Sequence, residues 1–149
     1  MATVDEIRRE IELPHRPDRV WQAITDPTQV AQWFGDHVSY ELTPGAPMHM
    51  AWDQFGEVSG RIEVVEPTSR FAFRWRATGV PESEPMTARN STLVTYYLDA
   101  IPAGTRLIVS ETGFATLPEA LRIAALRENN HGWDVELAEF LAYMKGGPA

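Results

Sequence analysis

VWQAITDPTQVAQWFG, residues Val20 to Gly35, decides how this chain is read. It spells two short helices joined by a proline corner. Pro17 stands just upstream, where a first helical residue tolerates a missing N–H, and Val20 and Ile24 then share one helical face. Asp26 is placed to cap the second helix and Pro27 to occupy its first position. Val30, Trp33 and Phe34 give that helix an apolar side, and Gly35 is a left-handed stop. Neither helix is long enough to be stable alone in water, so the pair must lean on a larger partner.

That partner reads as a sheet. Outside the helix pair the apolar residues recur mostly every second position, the period of a half-buried strand. Ile7, Ile11 and Leu13 alternate with charge in an opening strand. Val38, Tyr40 and Leu42 follow the helices, then a Pro44-Gly45 turn, then Met48, Met50 and Trp52. Ile62 and Val64 share a side of the next strand, and Phe71, Phe73 and Trp75 make the cleanest alternation in the chain. Val94, Tyr96 and Leu98 lead through a turn at Pro102 to Gly104 into Leu107 and Val109. Short strands joined by turns, without intervening helices, predict an antiparallel sheet. The polar stretch from Thr78 to Asn90 reads as a mobile loop or lid.

The one long helix is expected over Pro118 to Met144. Its inward stripe reads Ile123, Leu126, Asn130, Trp133, Leu137, Phe140 and Met144, with a single polar member. One amphipathic helix with one antiparallel sheet makes an α+β domain, expected to occupy residues 1–149 with an ordered core of about 5–144.

Composition narrows the chemistry. The 149 residues carry 44% hydrophobic side chains, enough for a packed core. A net charge of −8 without a basic run argues against nucleic acid as a partner. Cysteine is absent, which removes disulfides, thiolate nucleophiles and Cys-ligated metals. No apolar run approaches the ~20 residues of a membrane span, and MATVDEIRRE has no apolar signal core, so a cytoplasmic protein without a membrane span is expected. His15, His37, His49 and His131 lack metal-ligand spacing, and no nucleophile-elbow or phosphate-loop motif occurs, so neither a metal, a cofactor nor a catalytic residue is assigned.

Four runs in this order carry a resemblance: VWQAITDPTQVAQWFG, GRIEVVEP with FRW after it, GTRLIVSETGF and HGWDVELAEFL. Together they resemble the homologues of the activator of the 90-kDa heat-shock protein ATPase, within the START-like, helix-grip (SRPBCC) superfamily. The resemblance spans roughly residues 5 to 144. It implies a curved seven-stranded antiparallel sheet gripping the C-terminal helix, two short helices after the first strand, and an apolar cavity between sheet and helix. The eukaryotic co-chaperone of that family carries an additional N-terminal domain for which this chain has no room, so chaperone activation is not implied.

Candidate site residues follow from the faces. Trp52, Phe73, Trp75, Tyr96, Trp133 and Leu137 point at one space, either as core or as the lining of that cavity. Asn130 needs a hydrogen-bond partner, since an unpaired buried amide costs ~1–3 kcal/mol; ligand, water or backbone would serve. Glu111 shares parity with Leu107 and Val109, and Arg9 with Ile7 and Ile11; the resemblance implies that their strands are neighbours, so the two could form a charge pair at the cavity mouth or lie at a wet sheet end. Asp53 and Glu57 in a hairpin read either as an acid/base pair or, as is commoner for hairpin carboxylates, as solvated groups.

The reading is a non-catalytic domain that binds a small hydrophobic or amphipathic ligand, such as a lipid, in a stress- or co-chaperone-related setting. One alternative is a polyketide cyclase/aromatase-like enzyme using Glu111 or Tyr96. The other is a module that binds a chaperone or client protein through an exposed patch at Leu117, Leu121 and Ala125.

Overall fold

The computed structural model describes residues 4–146. Seven strands, β1 (Glu6–Leu13), β2 (His37–Tyr40), β3 (Pro47–Trp52), β4 (Gly56–Glu66), β5 (Arg70–Arg76), β6 (Ser91–Ile101) and β7 (Gly104–Thr112), form one antiparallel sheet in the order β1-β7-β6-β5-β4-β3-β2. Helices α1 (Pro17–Thr25) and α2 (Pro27–Val30) connect β1 to β2, and α3 (Glu119–Gly146) packs across the sheet. This is the helix-grip arrangement that the resemblance implies.

The helix pair forms for the expected reasons. Pro17 opens α1, and Val20 and Ile24 are buried beneath it. The Asp26 carboxylate accepts the Thr28 backbone N–H at 3.0 Å, so it caps α2. The chain continues as tight turns through Trp33 and Phe34, both 2% exposed, and Gly35 ends it at φ 110°. The Trp33 indole donates to the Ala23 carbonyl at 2.9 Å, which ties the second helix to the first.

The sheet shows one departure from simple alternation. Ile62 faces Phe73 and Val65 faces Phe71, with a register shift between Ile62 and Val64. An extra residue in β4 therefore turns Val65, rather than Val64, toward the core. Just before it, Gly60 lets two strands approach closely: a Cβ there would lie 2.0 Å from the Arg74 carbonyl oxygen.

Two further expectations are corrected. The second half of the stretch from Thr78 to Asn90 is hydrogen-bonded rather than open: Asn90 accepts from the Thr87 N–H at 2.8 Å and donates to the Pro85 carbonyl at 3.0 Å, while Arg76 donates to the Glu84 carbonyl at 3.1 Å. Leu117 and Ala125 are buried at 2% and 3% exposure and Leu121 is half-buried, so the exposed patch expected there does not exist. They close the space where the short 3-10 turn Phe114–Thr116 runs into α3.

Helix α3 turns out to be phased differently over its first half. Trp133, Leu137, Phe140 and Met144 are buried as expected. Upstream, Ile123 is 54% exposed and Asn130 is exposed, while Ala125 is buried and Asn129 half-buried. A fourfold step from Ala125 through Asn129 to Trp133 is the inward line there.

Candidate functional site

Four elements bring side chains together between sheet and helix. Adjacent inward positions of β5, β6 and β7 supply Trp75, Thr92 and Glu111, and α3 supplies Asn129 and Trp133. Their common point is Glu111, which is fully buried. Its Oε2 accepts from Trp75 Nε1 at 3.0 Å, Thr92 Oγ1 at 2.6 Å and Asn129 Nδ2 at 2.8 Å. Its Oε1 accepts from Trp133 Nε1 at 2.8 Å. Four donors and no cation surround this carboxyl, the pattern of an acceptor-only carboxylate held by neutral groups.

Arg9 is not its partner. The Arg9 side chain leaves the sheet on the outer side of α3, where Nε donates to Asp134 at 2.8 Å and Nη2 to the Asn130 side chain at 2.9 Å. That hydrogen bond holds the Asp134 carboxyl below its ordinary range. Asn130 thus serves a β1–α3 clasp outside the interior, and Asn129, its neighbour, takes the inward role. Two adjacent Asn residues made the phase ambiguous, and the large Ile123 drew the stripe to the wrong side.

The remaining expected residues do converge. Phe34 stacks on Trp75 at 5.8 Å and 20°, meets Trp52 edge-on at 5.6 Å and lies 5.5 Å from Trp133. Tyr96 stands edge-on to Trp133 at 6.2 Å, and Phe73 edge-on to Trp75 at 5.2 Å. Trp52 and Trp75 are half-buried, whereas Phe73, Tyr96, Trp133 and Leu137 are buried. The rings are in mutual contact, so the space is filled by its own aromatic side chains. Clefts of about 400 and 370 Å³ lie elsewhere, one on the far side of the sheet by His49 and Arg76, the other at the β6–β7 turn.

Sequence reading missed Phe34, Thr92, Asn129 and Glu136 as members of this neighbourhood. Thr92 shares parity with Val94 and Tyr96, and that signal was available. Glu136 follows Trp133 by three positions on the same helical side, a spacing that its charge masks.

His37 pairs with Asp53 at 3.0 Å and His49 with Glu57 at 2.8 Å, all at the surface. Burial pushes the Tyr96 phenol well above its ordinary range, with Tyr40, Glu136 and Glu111 adding to the effect, so it stays protonated. Among the described residues no group of His, Asp and Glu is arranged to hold a metal ion, and no helix is long and apolar enough to cross a membrane.

Comparison with known proteins agrees with this architecture. DynU16, a protein of the dynemicin biosynthetic locus, is 28% identical, with a TM-score of 0.78 over 97% of this chain; the match spans 49% of DynU16, about half its length. CalU16 from Micromonospora echinospora is 25% identical, with a TM-score of 0.64 over 95% of this chain and 75% of CalU16. A Mesorhizobium loti protein shares the fold at 18% identity, with a TM-score of 0.79 over 97% of this chain and 99% of its own. No curated protein matches the sequence. The profile of one family, activator of Hsp90 ATPase homolog 1-like protein, matches residues 14–145. With that match spanning the helix pair, six of the seven strands and nearly all of α3, the chain belongs to the activator of Hsp90 ATPase homolog 1-like protein family.

Proposed function

We propose that this is a non-catalytic domain that binds a small apolar or amphipathic molecule between the sheet and α3. The observation that carries the reading is Glu111. A buried carboxylate without a cation costs several kcal/mol, and a domain that needed only a core would be more stable with an apolar residue there. What Glu111 does is fix two indoles, Trp75 and Trp133, and one amide, Asn129, in set orientations. These are wall residues of the proposed site, held the way a preorganised binding surface is held. Entry requires the half-buried Trp52, which Glu111 does not hold, to give way, and the ligand's apolar body then packs against Phe34. DynU16's place in a biosynthetic locus supports a small-molecule partner.

An enzyme of the cyclase type would need Glu111 or Tyr96 to move a proton. Glu111 does point inward, which favours that reading. Its four hydrogen bonds suit an orienting role better, and a phenol held protonated in the core is no base. A chaperone-docking role loses the patch on which it was based, since Leu117 and Ala125 are covered.

Native mass spectrometry of protein purified without detergent, with thermal shifts across a lipid and polyketide panel, tests the proposal. A bound mass lost on denaturation, together with a raised melting temperature for a chemically related subset, is expected. Bare protein and no shift across the panel would overturn it.

A further inference from the structure

Glu136 differs from Glu111 in one decisive respect. Its Oε2 is shielded from solvent and has no hydrogen-bond partner among the described residues. Native structures leave few such acceptors, and an orphaned carboxylate oxygen is costly. The residue lies on the side of α3 that carries Trp133, Leu137 and Phe140, beside the half-buried Trp52. One turn earlier stands Gly132, where an added methyl would meet nothing within 4 Å, so the helix surface leading to Glu136 is open. Burial pushes the Glu136 carboxyl up to about 7, Glu139 and Asp36 add negative charge, and the Trp52 indole is the opposing contact. Glu111 spends its acceptors on the walls; Glu136 keeps one free.

We propose that Glu136 receives the polar end of the bound molecule and that this end is a protonated amine. The inference rests on the binding reading above and narrows it to amphipathic amines. An ammonium supplies N–H donors to the free oxygen and the positive charge that the surrounding Asp36, Glu136 and Glu139 lack. The Trp52 ring beside it is suited to a cation–π contact. A carboxylate or phosphate head would meet like charge on every side.

Calorimetric titration near neutral pH with octylamine, octanol and octanoate, each below its micelle concentration, tests this on the wild-type protein and on Glu136→Gln. Octylamine is expected to bind about tenfold more tightly than octanol, because only the ammonium brings a positive charge to the Glu136 carboxylate, with octanoate weakest. In Glu136→Gln the preference for octylamine over octanol is expected to disappear. Equal binding of octylamine and octanol by the wild type, or a preference that survives in Glu136→Gln, overturns the amine assignment and leaves the binding reading standing. No binding of any of the three probes by the wild type overturns both. The wild-type comparison decides the matter alone if the variant does not fold.

Discussion

Replacing Glu111 by Gln keeps the size of the side chain and removes half of its hydrogen-bond logic. The amide oxygen can take the Oε2 position, where Trp75, Thr92 and Asn129 donate. The amide NH2 then faces the Trp133 indole N–H, donor against donor. Leaving that buried indole unpaired costs about 1–3 kcal/mol, and turning three charge-assisted bonds into neutral ones costs roughly 1 kcal/mol each. Against this loss of ~4–6 kcal/mol stands the relief of no longer burying a charge, taken as ~2 kcal/mol. The net expectation is a destabilisation of about 2–4 kcal/mol, or a melting temperature lower by roughly 5–15 °C for a domain of this size. Differential scanning calorimetry measures it. A Glu111→Gln protein as stable as wild type, or more so, would refute the claim that this carboxylate organises Trp75, Trp133 and Asn129.

Glu136→Gln should act in the opposite direction. Its carboxyl lies at about 7 in the folded protein against an ordinary 4.5, so the stability tied to its protonated form is intact below about pH 4.5 and lost as pH rises through about 7. Discounted for the part-exposed side chain, the penalty is ~1–2 kcal/mol; thermal melts should show the variant above wild type at about pH 8 and equal to it at about pH 4, and equal stability at both would count against a desolvated Glu136. Gly60→Ala should weaken the β4–β5 pairing by ~3 kcal/mol or more, since its Cβ would sit 2.0 Å from the Arg74 oxygen, and a wild-type-like melt would contradict that close approach. Gly132→Ala, whose Cβ meets nothing, should gain about 1 kcal/mol in urea unfolding by removing a helical glycine, and a loss would mean that the space beside α3 is not open.

Much of the fold was legible because its signals are local. Pro17, Asp26, Pro27 and Gly35 punctuate the helix pair chemically, and strand parity placed Phe71, Phe73, Trp75 and Tyr96 on the inward face. The second half of α3 was legible through Trp133, Leu137, Phe140 and Met144, which are large and evenly spaced. Its first half was not: Asn129 and Asn130 are the same residue type, and the small Ala125 packs inward while the larger Ile123 faces water. Size and hydrophobicity are one-way guides to burial. The bulge between Ile62 and Val64 left no mark in the alternation. Parity could turn Glu111 inward, but its partners depend on how three strands and a helix meet, so the nearer formal charge, Arg9, was the natural and mistaken choice. Glu136 stayed hidden because a charged residue beside an apolar stripe is ordinarily solvated.

The central claim is that the space bounded by Trp52, Trp75 and Trp133 receives the ligand. Two-dimensional nitrogen–proton NMR resolves the five tryptophan indoles and tests the claim directly. On titration with octylamine, or with any compound that raises the melting temperature, the signals of Trp52, Trp75 and Trp133 should move together, while Trp33, whose indole N–H is bonded to the Ala23 carbonyl at 2.9 Å, stays in place. Saturating binding that leaves Trp75 and Trp133 unmoved would contradict the account.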